Sequence, residues 1–348
     1  MGGLVRYPDV YVRCNELKID VPKQRVFDIF YMGPKVANEQ LAIMWRRFFP
    51  QIFEKSLYWF FYSVEWVNYK IPGFEKYIVG DKIKLQHLLE LAPPYLTFTN
   101  DEEILGQAGL REIGLPSGVE FVCLLVRDNV YLSAFQPKVD DSVSEFRNCD
   151  VNDFILAAEE LTRQGYYVIR MGAKVAKKIK TKNEKIIDYA TSPFRNDFMD
   201  MYIAKNCSAI VSSGCGFDLV SNYLFNKPII ILNLAHVKDV FGSRHLLTFT
   251  IKTYVLNGRK LTLKELLNRD TACSEHERRC FTPMDNSPEE LRDAVIEAVE
   301  RLRGTWKSEL EDEELQKRFW EFFPMNGQKI PGHLSAHFLR KNHDWFLK

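Results

Sequence analysis

The sequence has no apolar run long enough to cross a bilayer. Its most hydrophobic early stretch, residues 57–67, is short and broken by Ser63 and Glu65. Residues 1–11 lack the apolar segment with basic flanks that marks a secretory leader. No charge of one sign prevails, since 47 Lys and Arg stand against 46 Asp and Glu. A general electrostatic grip on DNA or RNA needs a strongly basic face, so no nucleic-acid partner is expected. Seven cysteines are scattered without a Cys-x-x-Cys pair, which disfavours a disulfide scaffold or a cysteine zinc site and fits reduced thiols. The expectation is a soluble cytoplasmic protein. Peripheral contact with the inner face of a membrane is an additional option.

Several catalytic signatures are also missing. There is no Gly-x-Ser-x-Gly elbow, no phosphate loop ending in Gly-Lys-Ser/Thr, no Gly-x-Gly-x-x-Gly fingerprint and no His-Glu-x-x-His pair. His236, His245, His276 and His333 show no metal-ligand spacing. No Asp-x-Asp pair follows a strand, and Asp197 and Asp200 fall within a helical pattern. These gaps disfavour a serine hydrolase, a P-loop kinase, a typical NAD enzyme and a transferase that holds a metal through paired aspartates. No cofactor is expected.

What the sequence does hold is alternation. At 46% hydrophobic and 348 residues it can fill about two ordinary domains. Residues 119–126 are a mostly continuous apolar run, as a strand covered on both faces requires. A helix follows, with apolar positions Val151, Phe154, Ile155, Ala158 and Leu161, a capping Asp150 and a terminating Gly165. Strands are expected at 166–171, 185–189, 209–212 and 229–232, with helices at 194–205 and 216–225. That order implies parallel pairing and a doubly wound α/β domain. In the first third, 10–13 and 26–31 read as strands and 36–49 as a helix, while 58–67 fits either element. Residues 110–117, with Gly114 and Pro116, form the expected linker. Ser287-Pro288-Glu289-Glu290 is a capping box opening a helix on Leu291, Ala294, Val295, Ala298, Val299 and Leu302. A second tail helix is expected at 310–323.

Four clusters, and a further stretch at a helix start, can carry chemistry. Ser212-Ser213-Gly214-Cys215-Gly216 joins a strand to a helix, and small residues there let a diphosphate approach free backbone amides. A tight turn that needs glycine for its backbone angles is the alternative. Arg127-Asp128 follows the first buried strand, where a guanidinium can neutralise phosphate and Asp128 can orient it or act as a base. Arg147 and Asn148 precede the helix that Asp150 caps. Arg170 and Gly172 end the next strand, and Arg195-Asn196-Asp197 opens a helix. Solvated arginines and helix-start chemistry are the plainer readings of the last two. The lysine-rich stretch 174–185 reads as solvated surface, with contact to an anionic membrane or an acceptor the less favoured reading.

In this order the motifs resemble a bacterial family of glycosyltransferases found in surface-polysaccharide gene clusters. The resemblance is carried by Arg127-Asp128, Phe146-Arg147-Asn148-Cys149-Asp150, residues 167–172, Asp188-Tyr189-Ala190, Arg195-Asn196-Asp197-Phe198 and residues 212–216. Ala37-Asn38-Glu39-Gln40-Leu41, Met44-Trp45 and the tail 332–346 also match, so most of the chain is covered. The resemblance implies a GT-B arrangement of two Rossmann-like domains facing a cleft. The divisions expected are an acceptor-side domain at 1–115, a nucleotide-sugar domain at 116–305, and a helical tail at 306–348 packing back on the first. The implied partners are a nucleotide sugar and a glycan or lipid-linked acceptor. Arg127, Arg147 and Asp128 are the expected catalytic residues. Asn148, Arg170, Gly172, Arg195, Ser212, Ser213, Gly214, Cys215 and Gly216 are expected to bind the donor. Glu39 and Asp28 are candidate bases. An epimerase of the same fold and a non-catalytic nucleotide-sugar or glycan-binding scaffold remain as rivals.

Overall fold

The structure is a computed structural model that describes residues 2–19, 21, 26–49, 52–53, 55–74, 78, 93–135, 145–243, 245–272, 281–323 and 330–348. His276 lies outside the described residues. The molecule is α/β, built on a seven-stranded sheet whose pairings are all parallel. Its strands are β3 (Phe121–Leu125), β4 (Tyr167–Arg170), β5 (Ile186–Ile187), β6 (Ala209–Ser212), β7 (Ile229–Leu234), β8 (Leu246–Ile251) and β12 (His333–Leu334). In space they run β5-β4-β3-β6-β7-β8-β12. The first strand therefore lies inside the sheet, and the winding direction reverses between β3 and β6. Such a reversal leaves a crevice at the carboxyl ends of the two strands, where ligands of open parallel sheets bind.

Both faces of the sheet are covered, which is why β3 reads as an unbroken apolar run. Side chains alternate along a strand. Val122 and Leu124 face the helices α6 (Ile155–Arg163) and α9 (Pro288–Arg303), packing with Ala158, Leu161, Ala294, Val295 and Ala298. Phe121, Cys123 and Leu125 face the opposite layer with Ile203, Tyr223 and Leu224. That layer contains α7 (Asp197–Asn206), and three earlier helices build onto it. These are α1 (Gly2–Leu17), α2 (Glu39–Phe48) and α4 (Asn100–Glu112). Helix α2 is capped by Asn38, whose Oδ1 accepts from the Leu41 amide at 2.8 Å. The same side chain donates to the Asp197 carbonyl at 3.0 Å, and the Glu39 amide donates to Asp197 Oδ2 at 2.8 Å. Two helix starts are thereby joined at one aspartate.

Two expectations change, one open reading closes, and the strands expected at 26–31 and 185–189 shorten to Phe30–Tyr31 and Ile186–Ile187. Residues 10–13 belong to α1 rather than to a strand. Asp9 and Arg13 stand one helical turn apart and form a buried ion pair at 2.8 Å, and strand geometry would place that spacing far apart. Residues 58–67 are helical, within α3 (Tyr58–Lys70). The helix expected at 216–225 reduces to a five-residue π-turn, Val220–Leu224, with all five residues buried. With no solvent-facing side it lacks the two-faced pattern that sustains a longer surface helix.

Around this frame lie β1 (Phe30–Tyr31) paired with β2 (Ile52–Phe53), and a three-stranded antiparallel sheet of β9 (Thr253–Leu256), β10 (Arg259–Lys260) and β11 (Thr282–Met284). The helices α5 (Val130–Phe135) and α8 (Leu263–Ala272) complete this part. Residues 110–117 close α4 in a turn at Gly114, with Leu115 buried, and lead straight into β3. The tail adds β12 beside β8, and the helices α10 (Leu310–Glu321) and α11 (Ala336–Phe346) pack on each other, with α11 also against α9. Among the described residues no helix is long and apolar enough to cross a membrane.

Candidate anion site at the carboxyl edge of the sheet

The β3–β6 crevice gathers three of the four clusters. The Arg127 amide donates to Ser213 Oγ at 2.8 Å, and the Arg127 carbonyl accepts from the Cys149 amide at 3.0 Å. Arg147 Nη2 donates to the Gly214 carbonyl at 3.1 Å. The loop after β3, the 145–150 segment and the turn after β6 are thus stitched together. Gly214 has φ +80°, a left-handed conformation that side chains disfavour, so the turn depends on glycine there.

The turn closes on itself. Ser212 Oγ donates to Asp218 Oδ2 at 2.9 Å and accepts from the Gly214 amide at 3.0 Å. The Cys215 amide donates to the same Asp218 oxygen at 3.0 Å. Two amides expected to meet a ligand phosphate are therefore taken by side chains. Gly216 follows on the way to the short π-turn. Burial pushes the Asp218 carboxyl up to about 6, while the Ser212 hydroxyl and the Cys215 amide pull it back. Burial also raises the Cys215 thiol to about 11, which keeps it neutral near pH 7.

A buried lysine braces the 145–150 segment. Lys252, just past β8 and 2% exposed, sends its Nζ to Asp285 Oδ1 at 2.6 Å and to the Asn148 carbonyl at 2.7 Å. Desolvating an ammonium is costly unless its donors are matched, and these partners match them. The Cys149 thiol beside this pair is raised to about 12 by burial, with Lys252 opposing.

The remaining expected residues have structural partners. Asp128 accepts from the Val130 amide at 3.0 Å and the Ala176 amide at 2.8 Å, which starts α5 and pins the lysine-rich loop. Asp150 caps as expected, accepting from the Asn152 amide at 3.0 Å. A hydrogen bond from Lys177 holds its carboxyl below the usual range. Arg170 is 1% exposed and donates to Asp188 Oδ1 at 2.9 Å, so it is an internal strut. A Cβ on Gly172 would lie 2.5 Å from Val175 Cγ1, and that glycine serves close packing. Arg195 bonds Asp200 at 2.6 Å and Asp197 at 3.1 Å at the start of α7. Asp28 accepts from the Tyr11 hydroxyl at 2.5 Å.

Neither a protein-family model, nor a curated protein, nor a solved structure matches this chain. The site therefore rests on its own geometry. Sequence reading missed Asp218, Lys252 and Asp285. Lys252 had a signal, since it stands directly after an apolar strand as Arg127 does. Asp218 had one as well, two residues beyond the glycine turn. Among the described residues no group of three His, Cys, Asp or Glu side chains is arranged to hold a metal ion.

Proposed function

We propose that the chain is a glycosyltransferase that moves a sugar from a nucleotide-sugar donor to a glycan or lipid-linked acceptor in surface-polysaccharide synthesis. The observation that carries this reading is the meeting of the Arg127 loop, Arg147 and the Gly214 turn at the point where the sheet reverses. Guanidinium groups at such a point suit a diphosphate, and stabilising the departing phosphate can lower a barrier by about 3 kcal/mol per well-placed donor. In this reading the enzyme is of the GT-B type and uses arginine rather than a protein-held metal for that charge. The donor lies on residues 116–305, and the acceptor-side base comes from residues 1–115, where Glu39 opens α2 next to Asp197.

A lipid-linked acceptor at the inner membrane face is supported by α3. Trp59, Phe60 and Trp66 are 67%, 62% and 56% exposed, and indole rings favour the headgroup level of a bilayer.

The test is a thermal-shift screen against UDP, GDP, CMP and dTDP sugars, because a ligand that binds only the folded state raises its melting temperature. Arg147→Ala should abolish the shift of the best nucleotide, while Asp150→Asn, which alters a cap, should keep it. Equal affinity of wild type and Arg147→Ala in calorimetry would refute the assignment. A new epimer formed from donor without acceptor favours an epimerase, and tight binding without turnover favours a scaffold.

A further inference from the structure

Two amides that make a glycine turn attractive to phosphate are occupied here by the protein's own side chains, one by a carboxylate and one by a hydroxyl. Asp218 is 7% exposed and receives the Ser212 hydroxyl and the Cys215 amide on one oxygen, while Ser212 holds the Gly214 amide. Arg147 is bonded to the Gly214 carbonyl and lies close enough to attract the Asp218 charge. We propose that Asp218 is a resident anion of this turn, so that a ligand phosphate is bound beside it by the guanidinium groups and its affinity is tuned by the charge on Asp218. The proposal rests on the reading of this crevice as a diphosphate site, and it assigns recognition to side chains rather than to turn amides.

The groups facing Asp218 are few. Cys215 is on its own turn and is neutral near pH 7. Arg147 comes from the 145–150 segment. Tyr223 of the π-turn feels Asp218, and Arg6 and Asp9 of α1 act on that same tyrosine. Arg147 is the cation among them that lowers the proton affinity of Asp218, and burial outweighs it. A carboxylate so placed changes charge within the range where enzymes work, and its negative form repels an incoming phosphate. Asp218 is a positioning residue, since it shapes the donors without touching a substrate.

The probe is inorganic pyrophosphate, titrated calorimetrically at fixed ionic strength from pH 5 to 8. Wild type and Asp218→Asn are compared at each pH, which cancels the titration of the probe itself. Asparagine keeps an acceptor oxygen for Ser212 and Cys215. At pH 7.5 the variant should bind about tenfold tighter, the effect of one unit charge about 10 Å away in an effective dielectric of about 20. The two affinities should converge by pH 5. Ser212→Ala removes a donor that favours the charged carboxylate, so its own loss of affinity with rising pH should begin at a higher pH than in wild type. This second variant keeps the test alive should Asp218→Asn fail to fold. A constant affinity ratio across the range, or an unmoved Ser212→Ala profile, overturns the role of Asp218 alone. Absence of pyrophosphate binding by every form at every pH overturns both this role and the diphosphate reading.

Discussion

Gly106→Ala measures how rigidly the N-terminal helices are fixed to the sheet. Gly106 lies in α4, and a Cβ there would come within 2.3 Å of the Tyr202 ring of α7. That ring cannot retreat easily. Its hydroxyl donates to Glu103 Oε2 at 3.0 Å, and it stacks on Phe198 with centroids 6.0 Å apart. Alanine is better than glycine inside a helix by about 1 kcal/mol, whereas forcing atoms into a packed seam costs about 1–3 kcal/mol. Steric cost wins, and a net loss of up to about 2 kcal/mol is expected. Gly109→Ala is the internal control. Its Cβ would meet Met199 Sδ at 2.4 Å, but an unbranched thioether can swing aside, so propensity and clash should nearly cancel. Urea unfolding followed by circular dichroism reads both. A stabilised Gly106→Ala, or a larger loss in Gly109→Ala, would show that the α4–α7 seam is not packed as described.

Other outcomes follow from the same packing. Gly332→Ala should weaken the β12–β8 pairing, because its Cβ would lie 2.6 Å from the Leu246 carbonyl oxygen, a backbone atom that cannot rotate away; lost amide-exchange protection in residues 333–334 checks this. Arg170→Met should cost about 1.5–3 kcal/mol by removing one charged hydrogen bond from Asp188, which keeps the Ile179 amide and the Thr191 hydroxyl, and it should leave the intrinsic nucleotide affinity of the folded protein unchanged. Asp218 is held near 6 in the fold against an ordinary 3.8. Its protonated form is thus favoured by folding, and this contribution is complete below about pH 3.8 and lost as pH rises through 6. The difference is on the order of 3 kcal/mol, and Asp218→Asn should flatten the stability profile across that window. Trp59→Ser with Trp66→Ser should reduce sedimentation with anionic phospholipid vesicles several-fold without changing the melting temperature, since both rings are exposed. Equal sedimentation of wild type and variant would remove the lipid argument.

The sheet was legible wherever burial on both faces forces a continuous apolar run, as at Phe121–Leu125 and Ile229–Leu234. Helix α9 announced itself by its capping box and apolar stripe, and both are in place. The failures have physical causes. Helix α1 carries Pro8 inside it and no acidic first turn, so its cap signals are absent, and the informative pair, Asp9 and Arg13, becomes meaningful only when the helix is buried. The segment after Gly216 is buried on every side, polar residues included, with α1 packed on it. Period analysis cannot separate a short buried turn from a helix under those conditions.

At the site, residue type proved a weaker guide than partner. Arg127, Arg147 and Arg170 all looked alike as guanidinium groups at or near strand ends. What separates Arg170 is Asp188, 18 residues further on at the next strand end, which converts a candidate ligand contact into a strut. The same logic applies to the glycine turn. Its small residues promised free amides, yet Asp218 takes one directly and another through Ser212. A carboxylate within a few residues of a glycine turn is a feature that sequence reading can look for. Where one is present, the turn already holds a negative charge, and the search for a phosphate receptor moves to the arginines that approach its carbonyls.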